Sequence, residues 1–140
     1  MITIYTDGSY NPYTKKYGAG IVICKGNTVI KKLTCSSMKY HTARQVAGEL
    51  LASVEAIAYC KENGYNNITI KHDYLGVGNW ADGKWKTKQE LTIKYKAFVN
   101  SYRNSGMTIT FKHIKGHSNN KMNDLADKLA KEVIGLKIKK

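Results

Sequence analysis

Two segments in which apolar and polar residues alternate each carry an aspartate at or near their end. Residues 2–9 pass through Asp7, and residues 68–73 finish at Asp73. Alternation of this kind is typical of a strand with one face against a core. A long helical pattern over residues 42–63 separates the two strands, and a right-handed crossover makes them parallel. Both aspartates are therefore expected at the carboxyl ends of parallel strands, where α/β sheets bind ligands.

The other periodic segments predict an α/β chain. Strands are expected at residues 19–24 and 28–36, joined by a hairpin-type turn, and again at residues 107–115. Helices are expected at residues 89–104 and in a last segment whose apolar stripe begins at Met122. The element order βββαβααβα then predicts a five-stranded mixed sheet flanked by helices.

The chain carries far more positive than negative charge, which constrains its partners. Its 140 residues include 23 Lys and Arg but 10 Asp and Glu, for a formal net charge of +13. This balance predicts attraction to nucleic acid or to an anionic membrane. The sequence has neither an apolar run of about 18 residues nor a basic amphipathic helix with an aromatic face, so we expect nucleic acid and no membrane. A basic protein without a polyanionic partner is the alternative.

The cysteines and the termini indicate a single cytoplasmic domain. Cys24, Cys35 and Cys60 are odd in number and form no CxxC pair, which argues against a disulfide framework or a zinc site. Reduced, mostly buried thiols are typical of cytosolic proteins. The chain opens directly with a strand pattern rather than a signal peptide. We expect one domain over residues 1–136 and a frayed basic tail over residues 137–140.

Scarce acidic residues in a cationic chain suggest a divalent metal held against a polyanion. Two bare carboxylates placed close together repel each other, and a hard divalent cation removes that penalty. Asp7 and Asp73 fit this arrangement by strand parity. Glu49 lies about 120° around the helix axis from Glu55 and Glu62, at 100° per residue, so it need not face solvent with them. A solvated charge is the alternative for any single helical glutamate.

Spacing says less about the remaining acidic and histidine candidates. Asp124 lies opposite the apolar stripe of the last helix, and an acid near a helix N-terminus is favourable for dipole reasons alone. His41, His72 and His113 show no metal-ligand spacing. His72 should point away from Asp73, on the opposite sheet face.

Several motifs occur in a fixed order along the chain. They are Tyr5-Thr6-Asp7-Gly8-Ser9, Gly48-Glu49-Leu50, His72-Asp73-Tyr74, Lys115-Gly116-His117 and Asn123-Asp124-Leu125-Ala126-Asp127. On these motifs and the element order, the chain resembles ribonuclease H of the type 1 class over nearly its whole length. The Thr-Asp-Gly-Ser motif alone is weak, but all the blocks in order are a strong combination.

The resemblance implies an RNase H-like fold and endonucleolytic hydrolysis of the RNA strand of RNA–DNA hybrids. It implies two Mg²⁺ ions, with Mn²⁺ as a substitute, held by Asp7, Glu49, Asp73 and Asp124, with Asp7 as the bridging ligand. His117 resembles a mobile loop histidine that aids proton transfer or product release, a role that suits a group titrating near neutral pH. A loop histidine without a role is the alternative. We expect a monomer that uses no small-molecule cofactor.

The resemblance also suggests where the hybrid binds. Contacts to 2′-hydroxyl groups are expected after the first strand and at the start of the long helix. These candidates are Gly8, Ser9, Tyr10, Asn11, Arg44 and Gln45. The segment 80–88 resembles a shortened form of a basic, tryptophan-rich protrusion, with lysines for phosphates and tryptophans for sugars. Its candidates are Trp80, Lys84, Trp85, Lys86 and Lys88. The alternatives are tryptophans that pack a helix–helix corner and lysines on a solvated face.

Other functions remain possible for the same pattern. A junction-resolvase-type nuclease has the same fold, and a relative that binds structured nucleic acid without turnover is a non-enzymatic alternative. A basic scaffold protein is a third. The complete acidic set favours an enzyme.

Overall fold

The computed structural model describes residues 1–115 and 120–136. Across them the elements follow the predicted order βββαβααβα. The strands are β1 (Ile2–Asn11), β2 (Lys16–Lys25), β3 (Thr28–Ser37), β4 (Asn67–His72) and β5 (Thr108–His113). The helices are α1 (Gln45–Glu62), α2 (Gly76–Ala81), α3 (Glu90–Asn104) and α4 (Lys121–Glu132).

The five strands form one mixed sheet, as predicted. Their spatial order is β3-β2-β1-β4-β5. The pairs β1–β2 and β2–β3 are antiparallel, whereas β1–β4 and β4–β5 are parallel. Strand β1 therefore lies between an antiparallel and a parallel neighbour. The right-handed crossover through α1 brings β4 beside β1.

Helices cover both faces of the sheet, and the larger core lies between the sheet and helices α1 to α3. Ile4, Ile21 and Ile70 are fully buried there, against Leu50 and Ile57 of α1. Complete burial of one such side chain contributes about 1.5–3 kcal/mol. Helix α4 covers a smaller cluster on the opposite face.

Both covering helices approach the sheet very closely, because glycines face them. A Cβ atom at Gly48 of α1 would lie 2.5 Å from the carbonyl oxygen of Gly18, and one at Gly8 would collide with the backbone of Glu49. A Cβ atom at Gly20 of β2 would collide with the carbonyl oxygen of Ala126 in α4. These contacts leave no room for a side chain and fix the height of each helix above the sheet.

The start of the long helix differs from its prediction. Residues His41–Ala43 form a short 3₁₀ turn, and Arg44 has a φ of 55° before α1 begins at Gln45. That φ lies in the left-handed region, which interrupts the helix. Periodicity does not reveal such a break, so the predicted start at Thr42 is wrong.

The first strand pair is also longer than predicted. Strand β1 continues to Asn11 and β2 begins at Lys16, so the connecting turn is confined to residues 12–15. Among the described residues, no helix has the length and apolar character needed to cross a membrane.

Candidate active site

The sheet brings two aspartates to one edge. Strands β1 and β4 run parallel with Ile2 opposite Ile68 and Tyr5 opposite Lys71. Asp7 lies two positions after Tyr5, and Asp73 two positions after Lys71. The register therefore places both on the same face at the carboxyl end of the pair, as strand parity predicts.

His72, the last residue of β4, lies on the opposite face of the sheet from Asp73, as expected. His72 is buried, and its Nδ1 lies 2.9 Å from the carbonyl oxygen of Tyr74. Burial lowers the pKa of His72 to about 4. This histidine is therefore neutral at physiological pH and packs under the site.

Glu49 joins the two aspartates because α1 lies so close to β1. The backbone N–H of Gly8 donates to Glu49 Oε1 at 2.8 Å and to Asp7 Oδ1 at 2.9 Å. Asp7, Glu49 and Asp73 each offer an oxygen within 4.8 Å of the others. One residue of β1, one residue directly after β4 and one residue of α1 thus form a compact three-carboxylate cluster.

The electrostatics of this cluster favour a bound cation. The pKa of Asp7 is raised to about 7, mainly by burial, with the negative charges of Asp73 and Asp127 adding to the increase and a hydrogen bond with Glu49 opposing it. Burial also raises the pKa of Glu49 well above its usual range, with Asp7 adding to the effect. Glu49 Oε2 is buried without a hydrogen-bond partner. Closely spaced carboxylates that are largely removed from water and repel one another fit a hard divalent cation.

The fourth predicted carboxylate, Asp124, lies apart from these three. It is exposed in the first turn of α4 and borders the cleft, but it is outside the three-residue cluster. Asp127, one turn later, is also outside that cluster, but it is half-buried and its negative charge contributes to the raised pKa of Asp7. The structure thus brings Asp127 closer to the cluster than Asp124.

Close packing explains the position of Asp127. Gly20 pairs with Asp7 across β1 and β2 and also contacts the backbone of Ala126. The residue after Ala126 therefore lies beside Asp7. At about 100° per residue, Asp127 is about 40° around the helix from the buried Asn123, whereas Asp124 is about 100° away.

The acidic residues open into a cleft of about 340 Å³. Its lining residues are Asp7, Gly8, Glu49, Asp73, Asn123, Asp124, Asp127 and Lys131. Asn120 caps α4, since its Oδ1 accepts from the backbone N–H of Met122 at 3.0 Å and of Asn123 at 3.3 Å. The cap fixes the start of the helix that forms one wall. His117 and the tail 137–140 lie outside the described residues.

His113 is a cleft neighbour that sequence spacing did not single out. Its Nε2 lies 2.9 Å from the carbonyl oxygen of Asp73. The contact ties the end of β5 to the backbone that carries the Asp73 carboxylate. The in-register pairing of His72 with His113 would have been the signal for it.

The predicted substrate residues that follow Asp7 along β1 differ in how accessible they are. Gly8 lines the cleft, whereas Ser9 is buried. Asn11 is buried and its amide is already used, with Nδ2 donating to the Ile134 carbonyl at 2.9 Å and Oδ1 accepting from the backbone N–H of Tyr13 at 3.0 Å. Asn11 therefore ties the β1–β2 turn to the end of the chain's last helix.

The start of α1 presents the other predicted contacts to solvent. Arg44 and Gln45 are exposed, and the Arg44 guanidinium lies 5.6 Å from the centre of the Tyr10 ring. A non-glycine residue at positive φ costs on the order of 1–3 kcal/mol and is often found at functional sites. Arg44 thus combines backbone strain with an exposed cation.

The tryptophan segment folds back beside the cluster. The rings of Trp80 and Trp85 lie 5.4 Å apart, edge to face, and both contact Tyr74, the residue after Asp73. Trp80 is half-buried, while Trp85 remains 37% exposed. The three lysines of this segment, Lys84, Lys86 and Lys88, are exposed. Trp80 therefore packs a corner, and Trp85 keeps a free surface beside the lysines.

Comparisons with known proteins agree with the motifs. The sequence profile of the family RNase H matches residues 1–135. A ribonuclease H from Pseudoalteromonas translucida (strain TAC 125) is 30% identical, over 97% of this chain and 91% of that protein. The crystal structure of RNase H1 from Halobacterium salinarum NRC-1 superposes with a TM-score of 0.81 at 18% identity, covering 96% of this chain and 97% of that one.

A second solved structure has a ligand. LC11-RNase H1, crystallised in complex with an RNA/DNA hybrid, superposes with a TM-score of 0.77 at 16% identity, over 96% of this chain and 99% of that one. At these identities the structural matches establish the shared fold.

Proposed function

The chain belongs to the RNase H family and is a ribonuclease H, and we propose that it cleaves the RNA strand of RNA–DNA hybrids with the help of divalent metal ions. The observation that carries the proposal is the compact cluster of Asp7, Glu49 and Asp73, the first two of which are buried. The raised pKa values of Asp7 and Glu49, and a buried Glu49 Oε2 with no hydrogen-bond partner among the described residues, fit ligands of a divalent cation.

The metals we propose are two Mg²⁺ ions, with Mn²⁺ as a substitute. When bound, they supply a water nucleophile and neutralise charge on the leaving 3′ oxygen, which gives a 5′-phosphate and a 3′-hydroxyl. Asp7 is the proposed shared ligand, because Glu49, Asp73 and Asp127 all act on its pKa. The Gly8 N–H holds the Asp7 and Glu49 carboxylates in place from behind. His117 stays a prediction for proton transfer or product release.

Asp127 is our proposed fourth ligand, in place of the predicted Asp124. Two observations support the change: the charge of Asp127 contributes to the raised pKa of Asp7, and Asp127 is half-buried next to Ala126, which contacts the sheet. Asp124 is exposed, and its charge is not among those that raise the pKa of Asp7. In this proposal Asp124 lines the cleft but does not bind the metal.

The proposed substrate contacts lie on two sides of the cleft. Arg44 and Gln45 at the start of α1 would contact one strand, and Trp85 with its neighbouring lysines the other. The co-crystallised hybrid of LC11-RNase H1 and the net charge of +13 support a hybrid as the substrate, whereas the assignment of these residues rests on their exposure around the cleft. Binding should weaken steeply with salt, because the lysines and arginines displace counterions from phosphates. We expect the enzyme to act as a cytoplasmic monomer.

Cleavage assays test the proposal. Labelled RNA–DNA hybrid, duplex RNA, duplex DNA and a four-way DNA junction are incubated with Mg²⁺ and either the wild-type chain or Asp73→Asn. We expect cleavage of the hybrid alone, lost in the variant. Equal cutting of the junction would favour a resolvase, and hybrid binding without cleavage by the wild type would favour a non-enzymatic relative.

A further inference from the structure

One positive side chain faces the acids of the cleft. Among the described residues that line it, Lys131 is the single cation. Its Nζ lies 2.9 Å from Oδ2 of Asp127, an i,i+4 partner on α4. The proposed metal site thus contains a resident ammonium group in contact with one of its carboxylates.

This ion pair is closer than its equivalents elsewhere on the surface. The other i,i+4 pairs, Lys94–Glu90 and Lys128–Glu132, have N–O distances of 3.9 and 3.8 Å. Helical spacing alone therefore gives loose contacts in this chain. Asp7 interacts electrostatically with Asp127, and the acidic residues of the cleft add to the attraction between Lys131 and Asp127.

We propose that Lys131 is a positioning residue that holds the Asp127 carboxylate in the metal-free protein and competes with the metal for it. The inference rests on the proposed metal site. A divalent ion approaching Asp127 must displace the ammonium group, so Lys131 raises the metal concentration needed to fill the site. The ion pair thereby keeps the acidic cleft partly neutralised until metal is abundant.

The expected size of the effect follows from the exposure of the pair. The side chains of Lys131 and Asp127 are 37% and 42% exposed, so solvent screens their attraction. Partly exposed ion pairs of this kind change equilibria by roughly two- to fivefold. Lys131→Gln should therefore lower the Kd for metal by about that factor.

Calorimetric titration of Mn²⁺ and of Mg²⁺ into the substrate-free protein measures this directly. Lys128→Gln is the matched control, since it removes the same charge from the same helix where Lys128 pairs with Glu132. We expect tighter metal binding for Lys131→Gln, little change for Lys128→Gln, and wild-type affinity for Lys131→Arg, which keeps the ion pair. Unchanged or weaker binding by Lys131→Gln would overturn the proposal.

A double-mutant cycle separates competition for Asp127 from a general effect of charge. In an Asp127→Asn background, Lys131→Gln should no longer change the metal Kd, because the contested carboxylate is gone. An equal gain in both backgrounds would mean that Lys131 acts only through its field, which contradicts the proposal. If the wild type shows no saturable metal binding at all, the proposed function fails instead.

Discussion

Helices α1 and α4 both place acidic side chains at the carboxyl end of β1, but in different surroundings. Glu49 of α1 is 5% exposed and accepts a backbone hydrogen bond from Gly8. Asp127 of α4 is half-buried and pairs with a lysine. The Glu49 carboxylate is therefore fixed by a backbone hydrogen bond whether or not metal is present. The Asp127 carboxylate is instead held by the Lys131 ammonium group, which a metal ion can displace. The difference suggests a rigid half and an adjustable half of one site.

The largest expected effect is on the rigid half. Glu49→Gln keeps the shape of the side chain but removes a buried anionic ligand, so hybrid cleavage should fall by about a thousandfold or more. Glu62→Gln, at the exposed end of the same helix, removes the same charge and should leave the rate within about twofold. Steady-state cleavage rates at saturating Mg²⁺ measure both. A Glu49→Gln enzyme with near-normal rates would break the comparison.

The metal-free protein should become less stable as pH rises. Asp7 keeps its proton to about pH 7 in the folded state but has an ordinary pKa of 3.8 when unfolded. The folded state therefore binds more protons between these values, and stability falls across that window. The loss should be on the order of 2–4 kcal/mol. Denaturant unfolding in a chelator at pH 4 to 8 measures it.

Asp7→Asn provides the control for this titration. In this variant the free energy of unfolding should fall much less between pH 4 and 8 than in the wild type. Added metal should raise the free energy of unfolding of the wild type at pH 8, because it binds the ionised carboxylates. A free energy of unfolding that rises between pH 4 and 7 in the metal-free wild type would contradict the assignment.

The next test concerns the distance between α1 and the sheet, which positions Glu49. Gly48→Ala puts a methyl group against the Gly18 carbonyl oxygen, so α1 must move away from the sheet. Such overpacking should lower the free energy of unfolding by about 1–3 kcal/mol and move Glu49 from its partners. Ala58→Gly, half-buried on the same helix, is a control for helix propensity alone. It should cost about 1 kcal/mol without a matching loss of metal affinity, measured by titration.

The smallest effects are expected on the adjustable half. Asp127→Asn should reduce cleavage by about tenfold at limiting Mg²⁺, and high Mg²⁺ should recover part of it. Asp124→Asn removes the same charge three residues away and should change the rate by less than about threefold. Rates measured over a range of Mg²⁺ concentrations compare the two. The reverse order would restore Asp124 as the fourth ligand.

The predictable parts of the site are those that depend on local rules. Strand alternation and the hand of the crossover were enough to place Asp7 and Asp73 together, because both rules hold without knowledge of the partners. Glu49 was only permitted by its spacing. The burial of Glu49 depends on the distance between α1 and the sheet. Gly8 of β1 and Gly48 of α1 set that distance.

The orientation of α4 shows what the sequence pattern concealed. The predicted apolar stripe comprised Met122, Leu125, Ala126, Leu129, Val133 and Ile134. Its members Met122, Leu125 and Leu129 are only half-buried in the structure. The closest contact is made by Ala126 and Ala130 against the glycines of β2. The centre of the predicted stripe and the face of α4 with the most buried residues differ by a rotation about the helix axis, so Asp127 was not among the predicted site residues. Close packing of glycine and alanine was the signal that could have found it.

The close approach of Gly48 to Gly8 has a consequence for recognising active relatives. Every substitution of either glycine adds at least a methyl group at the point where α1 meets the sheet. A gene can therefore lose this nuclease without losing any acidic codon. Surveys that score environmental sequences by their carboxylates alone will count such chains as active. Inspecting the residues that align with these two glycines should separate degenerate copies from competent ones.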